Sequence, residues 1–83
     1  MYHVYILFSA GLNKYYIGFT AGAVELRLIK HLSSNKGFTS KAKDWKIVYT
    51  ENFPTKNMAM LREKEIKRWR CRIMIEKLVN PID

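Results

Sequence analysis

Two short runs rich in aromatic and β-branched residues, a turn between them, and later stretches with apolar residues at helical spacing predict an α/β (α+β) fold. The expected architecture is a small three-stranded antiparallel or mixed sheet flanked by helices, in the order β-β-α-β-α-α, the simplest way to bury these faces. The 83 residues make one small domain, 1–83. A chain of this size buries only about 60% of the surface its unfolded form exposes, so its margin of stability is thin.

Tyr2 to Phe8 reads as the first strand, although its alternation is imperfect. Ser9 to Asn13 is turn-forming, and Lys14 to Phe19 reads as the second strand. So short a connection cannot make a parallel crossover, so the strands pair as an antiparallel hairpin. That hairpin brings Tyr5 and Tyr16 to roughly opposite positions near the sheet centre. Gly18 weakens a strand unless something approaches its backbone closely, and the space beside it has room for a backbone or a phosphate.

Thr20 is a candidate cap for a helix from about Ala21 or Gly22 to Ser33, with Val24, Leu28 and Leu32 as its buried stripe. Arg27 and His31 lie one turn apart beside that stripe, at the boundary of core and solvent. A polar loop from Ser33 to Asp44 follows, with Thr39 and Lys41 among the groups able to touch phosphate. Trp45 to Thr50 reads as the third strand, with Trp45, Ile47 and Tyr49 on one face. Thr55 after Pro54 caps a helix from about Lys56 to Trp69, whose inward stripe is Ala59, Ile66 and Trp69, with Met60 close by. A last helix, about Arg70 to Val79, stops before Pro81.

Charge narrows the class of partner. The formal net charge is +8, and from Lys56 to Arg72 seven Lys or Arg face two Glu. Such a field attracts polyanions, of which nucleic acid is the commonest in a cell, although a solvated helix surface has the same composition. No apolar run approaches the roughly 20 residues that span a bilayer. The first residues lack the pattern of a secretory signal, and the single cysteine, Cys71, excludes a disulfide framework or a cysteine zinc cage. These features lead to the expectation of a cytoplasmic protein without a membrane partner. Cys71 itself reads as a small packing residue.

Several side chains carry chemistry beyond packing. Tyr5 and Tyr16 can simply fill core, as tyrosines in strands do. Arg27 is either an ordinary surface arginine or, beside a buried stripe, partly desolvated, and a guanidinium of the second kind binds phosphate through paired hydrogen bonds. His31 is either a solvated helix-end histidine or a group that orients or accepts a proton from water. Glu63 is the sharpest signal, because it falls on the inward face of its helix among Arg62, Lys64 and Lys67. Either it forms a salt bridge to a neighbour or Lys41, or it ligates a metal, since Mg²⁺ is often held by one or two carboxylates, waters and a substrate phosphate.

Taken together, these segments resemble the GIY-YIG nucleases, in particular the small single-domain proteins related to the nuclease module of UvrC. The resemblance spans about Tyr2 to Leu78. It rests on Val4-Tyr5, with His3 where the family has glycine, on Tyr16-Ile17-Gly18, and on Glu25-x-Arg27-x-x-x-His31. It rests also on Gly37-Phe38-Thr39, on Trp45 to Tyr49, and on Ala59 to Lys67 around Glu63.

The resemblance implies a metal-dependent endonuclease that hydrolyses phosphodiester bonds with low sequence specificity. It implies that Tyr16 helps activate the attacking water, directly or through His31, and that Tyr5 positions the nucleophile or the phosphate. It further implies that Arg27 stabilises the pentavalent transition state and that Glu63 holds one Mg²⁺ or Mn²⁺ ion beside the leaving oxygen. Tyrosine is a poor base at neutral pH unless nearby cations lower its pKa from about 10. Gly18, Thr39, Lys41, Lys67 and Arg70 are the expected nucleic-acid contacts, with DNA of the repair or recombination type ahead of RNA. A nucleic-acid-binding module with weak or no catalysis is the alternative. A monomer is expected, with a homodimer through Ile73-Met74 as the other arrangement.

Overall fold

The computed structural model describes residues 1–33, 37–69 and 71–81. Its elements follow the expected order: β1 (Tyr2–Ser9), β2 (Lys14–Thr20), α1 (Val24–Ser33), β3 (Lys46–Phe53), α2 (Lys56–Trp69) and α3 (Arg72–Val79). The sheet is antiparallel throughout, in spatial order β2-β1-β3. A 3-10 turn, Phe38–Lys41, interrupts the loop between α1 and β3. The helix α1 begins at Val24, later than the sequence suggests, because Thr20 is still strand and its hydroxyl accepts a bond from the Gly22 amide at 3.3 Å. Thr55 does cap α2, accepting from the Met58 amide at 3.2 Å.

The imperfect alternation of β1 has a simple cause. Both of its faces are covered along its centre, so Val4, Tyr5, Ile6 and Leu7 are buried in succession. On one face Val4, Ile6 and Ile17 meet Ala59 and Ile66 of α2. On the other, Tyr5 and Leu7 meet Val24 of α1 and Trp45, with Leu28 and Leu32 packed alongside. The expected shared face of Trp45, Ile47 and Tyr49 does not form. Ile6 pairs with Tyr49 but Leu7 pairs with Ile47, so Val48 is an extra residue that turns Tyr49 to the α2 side.

Three polar anchors tie the ends of this sheet to what surrounds it. Ser9 is fully buried; its hydroxyl donates to Asp44 at 2.5 Å and accepts from the Leu12 amide at 3.1 Å. The other Asp44 oxygen accepts from the Gly11 amide at 2.7 Å, so the β1–β2 turn is pinned to the segment before β3. Arg72 opens α3 by donating to the carbonyl and side-chain oxygens of Asn13, at 2.7 and 2.6 Å, while its guanidinium lies over the Tyr15 ring at 5.3 Å. Arg62 of α2 donates to both oxygens of Glu51 on β3, at 3.0 and 3.1 Å.

Register fixes the relation of the two tyrosines. Tyr5 stands opposite Gly18, and Tyr16 opposite Leu7, so the tyrosines are diagonal neighbours on one face, with ring centroids 6.5 Å apart. A Cβ on Gly18 would fall 2.6 Å from the Tyr5 hydroxyl oxygen and 2.7 Å from Cζ. The Tyr5 ring therefore lies across the bare backbone of β2, and the room expected for a phosphate is filled by that ring.

Replacing Ser9 by Ala strips the Leu12 amide of its acceptor and should cost about 1–2 kcal/mol in urea melts at neutral pH. The bonds from Ser9 and Gly11 hold the Asp44 carboxyl below its usual range. Its contribution is thus present above about pH 4 and lost as pH falls below that, so the gap between wild type and Ser9→Ala should narrow at low pH. Gly18→Ala should destabilise by about 1–3 kcal/mol through overpacking. Adding Tyr5→Phe, which removes the atom nearest the new methyl group, should recover part of that loss in a double-mutant cycle.

Candidate active site

The site starts from the geometry of α1. Arg27 and His31, four residues apart, stand on one face of the helix and project toward the tyrosine side of the sheet. His31 is buried at 7% exposure, whereas Arg27 is exposed rather than partly desolvated as its position in the sequence suggests. The His31 Nε2 atom lies 2.8 Å from the Tyr5 hydroxyl, and Nδ1 lies 3.1 Å from Oγ1 of Thr39. Thr39 is itself buried on the 3-10 turn, where its carbonyl accepts from the Trp45 indole at 2.9 Å. The Arg27 guanidinium can only donate toward the phenol oxygen. With the phenol proton then directed to Nε2, the neutral imidazole carries its own proton on Nδ1 and donates it to Thr39.

Burial and charge push the two partners in opposite directions. Burial is the main cause that raises the Tyr5 pKa; Arg27 opposes it, while Tyr16 and Glu63 add to it. Arg27 does lower the phenol's pKa, in the direction expected of a nearby cation, but at Tyr5 loss of solvent outweighs it. Burial lowers the His31 pKa, and the positive charge of Arg27 lowers it further. At neutral pH the pair is therefore a protonated phenol against a neutral imidazole, a donor matched to an acceptor.

The remaining members come from β2 and α2. Tyr16 packs edge-on against His31, with ring centroids 5.0 Å apart, and against Trp45 at 6.4 Å. Although α2 covers the opposite face of the sheet, its Glu63 carboxylate acts on the same Tyr5 phenol. The ring's position over the edge strand β2 makes this possible. Glu63 is only 15% exposed at its side chain and accepts an ion pair from Lys67 at 3.5 Å, so one of its expected bland partners is present. Its oxygens are the hard donors that Mg²⁺ or Mn²⁺ prefers. Among the described residues no three His, Cys, Asp or Glu gather into a cage. An ion held by Glu63 would take its other ligands from water and a phosphate.

Arg27, His31 and Glu63 thus act on the one phenol of Tyr5, with Tyr16 against the imidazole. The expected nucleic-acid contacts fare differently. Gly18 is buried beneath the Tyr5 ring. The Thr39 hydroxyl is engaged with His31. Lys41 is exposed at the end of the 3-10 turn, Lys67 is half exposed and paired with Glu63, and Arg70 lies outside the described residues. Sequence reasoning missed that Thr39 and Trp45 orient His31. The loop between them carries no periodicity from which that contact is readable.

The model of the GIY-YIG catalytic domain family matches residues 1–77. No curated protein and no solved structure gives a significant match. With nearly the whole chain matched, and with the residues of its two tyrosine motifs, Arg27, His31 and Glu63 grouped as described, the chain belongs to the GIY-YIG nuclease superfamily, whose catalytic domain implies nuclease activity on nucleic acids.

Proposed function

We propose that the chain is a metal-dependent endonuclease acting on DNA ahead of RNA, in the cytoplasm, with residues 1–83 working as one catalytic domain. The observation that carries this reading is the hydrogen-bonded series Tyr5–His31–Thr39, set beside Arg27 and Glu63. A water attacking phosphorus gives its proton to the Tyr5 oxygen as Tyr5 passes its own to Nε2 of His31. The water oxygen bonds to phosphorus, and the bond to the leaving oxygen breaks. Thr39 keeps the imidazole in the tautomer that accepts at Nε2. Arg27, fixed near the same phenol yet open to solvent, binds the phosphate and offsets the charge that builds on it. Tyr16 holds the imidazole ring in plane, so the relay assigned to it by resemblance passes to Tyr5.

Glu63 is the residue that would hold the divalent ion, which supplies Lewis-acid neutralisation of the phosphate. Its carboxylate is largely sheltered, and Lys67 is the partner that a divalent cation would displace. A small interface of this kind grips backbone more than bases, so the enzyme should discriminate substrate shape rather than sequence.

With Mg²⁺ or Mn²⁺ and flapped, branched or single-stranded DNA, the wild type should cleave. Glu63→Gln should lose at least about 100-fold, and Tyr5→Phe about 100- to 10,000-fold. Equal cleavage by wild type and Glu63→Gln would sink the proposal. The pH profile gives an independent check. Because His31 must be neutral and its pKa is lowered, the acid limb should lie below about pH 6.5, with full activity retained above it. An acid limb at pH 7 or higher would contradict the relay.

A further inference from the structure

Beside the candidate active site, a cleft of about 220 Å³ opens where the end of β2 meets α1. Its walls are Thr20, Gly22, Ala23, Leu26, Arg27 and Lys30. Arg27 belongs to both sites. Among the described residues no carboxylate pairs with Arg27 or Lys30, although Glu25 lies on the same helix. Two exposed cations one turn apart, with no carboxylate between them, repel one another, and an anion in the cleft would relieve that repulsion. Three residues along a helix advance about 4.5 Å, and the long side chains of Arg27 and Lys30 can spread from there to span two successive phosphates of one strand. If Arg27 meets the scissile phosphate, Lys30 is placed to meet the next one.

The other walls suit the rest of a nucleotide. The Thr20 hydroxyl already accepts from the Gly22 amide, and its own proton remains to donate to a phosphate oxygen. Leu26, 63% exposed, presents an apolar face at the cleft. A cationic floor with an apolar lip matches a sugar-phosphate unit, with the anion inside and the sugar or base edge against the leucine.

We propose that this cleft is the subsite for the nucleotide next to the scissile phosphate, with Lys30 as its phosphate ligand and Leu26 as its apolar wall. This rests on the nuclease reading above, but its test does not require cleavage. Binding of a short fluorescein-labelled single-stranded oligonucleotide is measured in EDTA across a salt series. Lys30→Ala should reduce the slope of log affinity against log salt by about 0.7, the share of one phosphate contact on a single strand, and weaken binding about fivefold at 0.1 M salt. Leu26→Ser should weaken binding without changing that slope. Lys56→Ala, at the start of α2 and away from the cleft, should leave both unchanged.

With Mg²⁺ present, Lys30→Ala should raise KM on an oligonucleotide while leaving kcat unchanged. On a mononucleotide p-nitrophenyl ester, which has no flanking phosphate, Lys30→Ala should match wild type. An unchanged salt slope in Lys30→Ala, an equal loss in Lys56→Ala, or no binding by wild type would each overturn the subsite. Undiminished cleavage by Glu63→Gln would instead overturn the catalytic reading, leaving the metal-free binding result to decide the cleft.

Discussion

One phenol decides how this molecule is put together. The Tyr5 ring needs a strand partner without a side chain in order to lie flat across the sheet, and Gly18 is that partner. Lying there, its hydroxyl ends above the edge strand β2, within reach of His31 from one layer and within the field of Glu63 from the other. A side chain at position 18 would collide with that ring and its hydroxyl. The covered central strand, the diagonal placement of Tyr16 and the burial of His31 all accommodate this single crossing.

Burial then sets the protonation states that chemistry at such a site requires. An exposed phenol and imidazole would be two solvated groups with no reason to exchange a proton. Removing both from water raises one pKa and lowers the other, so the phenol holds its proton and the imidazole lacks one. Arg27 acts on both without being buried itself: it weakens the upward push on Tyr5 and reinforces the downward push on His31. Its exposure would leave it available to a phosphate, as the proposed reaction requires.

Much of this was legible in the sequence, and the failures are instructive. The element order, the α2 cap at Thr55 and the inward face bearing Glu63 follow from local spacing, because caps and helical stripes are properties of neighbouring residues. Tyr49 escaped that logic, since one extra residue at Val48 inverts every later side chain in β3. Gly18 was read correctly as a place of close approach, but what approaches is Tyr5, and only the pairing register tells a ring from a phosphate. Thr39 looked like a loop hydroxyl facing solvent. It became the partner of His31 through a turn whose geometry depends on Trp45, six residues away.

The same distinction applies to charge. A net charge of +8 suggests a diffuse attraction for polyanions, centred on the basic run of the last helices. The structure spends several of those cations internally. Arg62 ties α2 to β3, Arg72 ties α3 to the hairpin turn, and Lys67 is paired with Glu63. A guanidinium bound to two partners in a fixed geometry is part of the scaffold, and drawing it onto a phosphate would cost those bonds. Among the described residues Arg27 and Lys30 carry no such commitment to a carboxylate, and they stand on the helix that supplies His31. Long-range attraction therefore belongs to the whole molecule, whereas under the proposed reading a phosphodiester would be seated by the few cations that folding has not tied to a carboxylate, on the helix that carries His31.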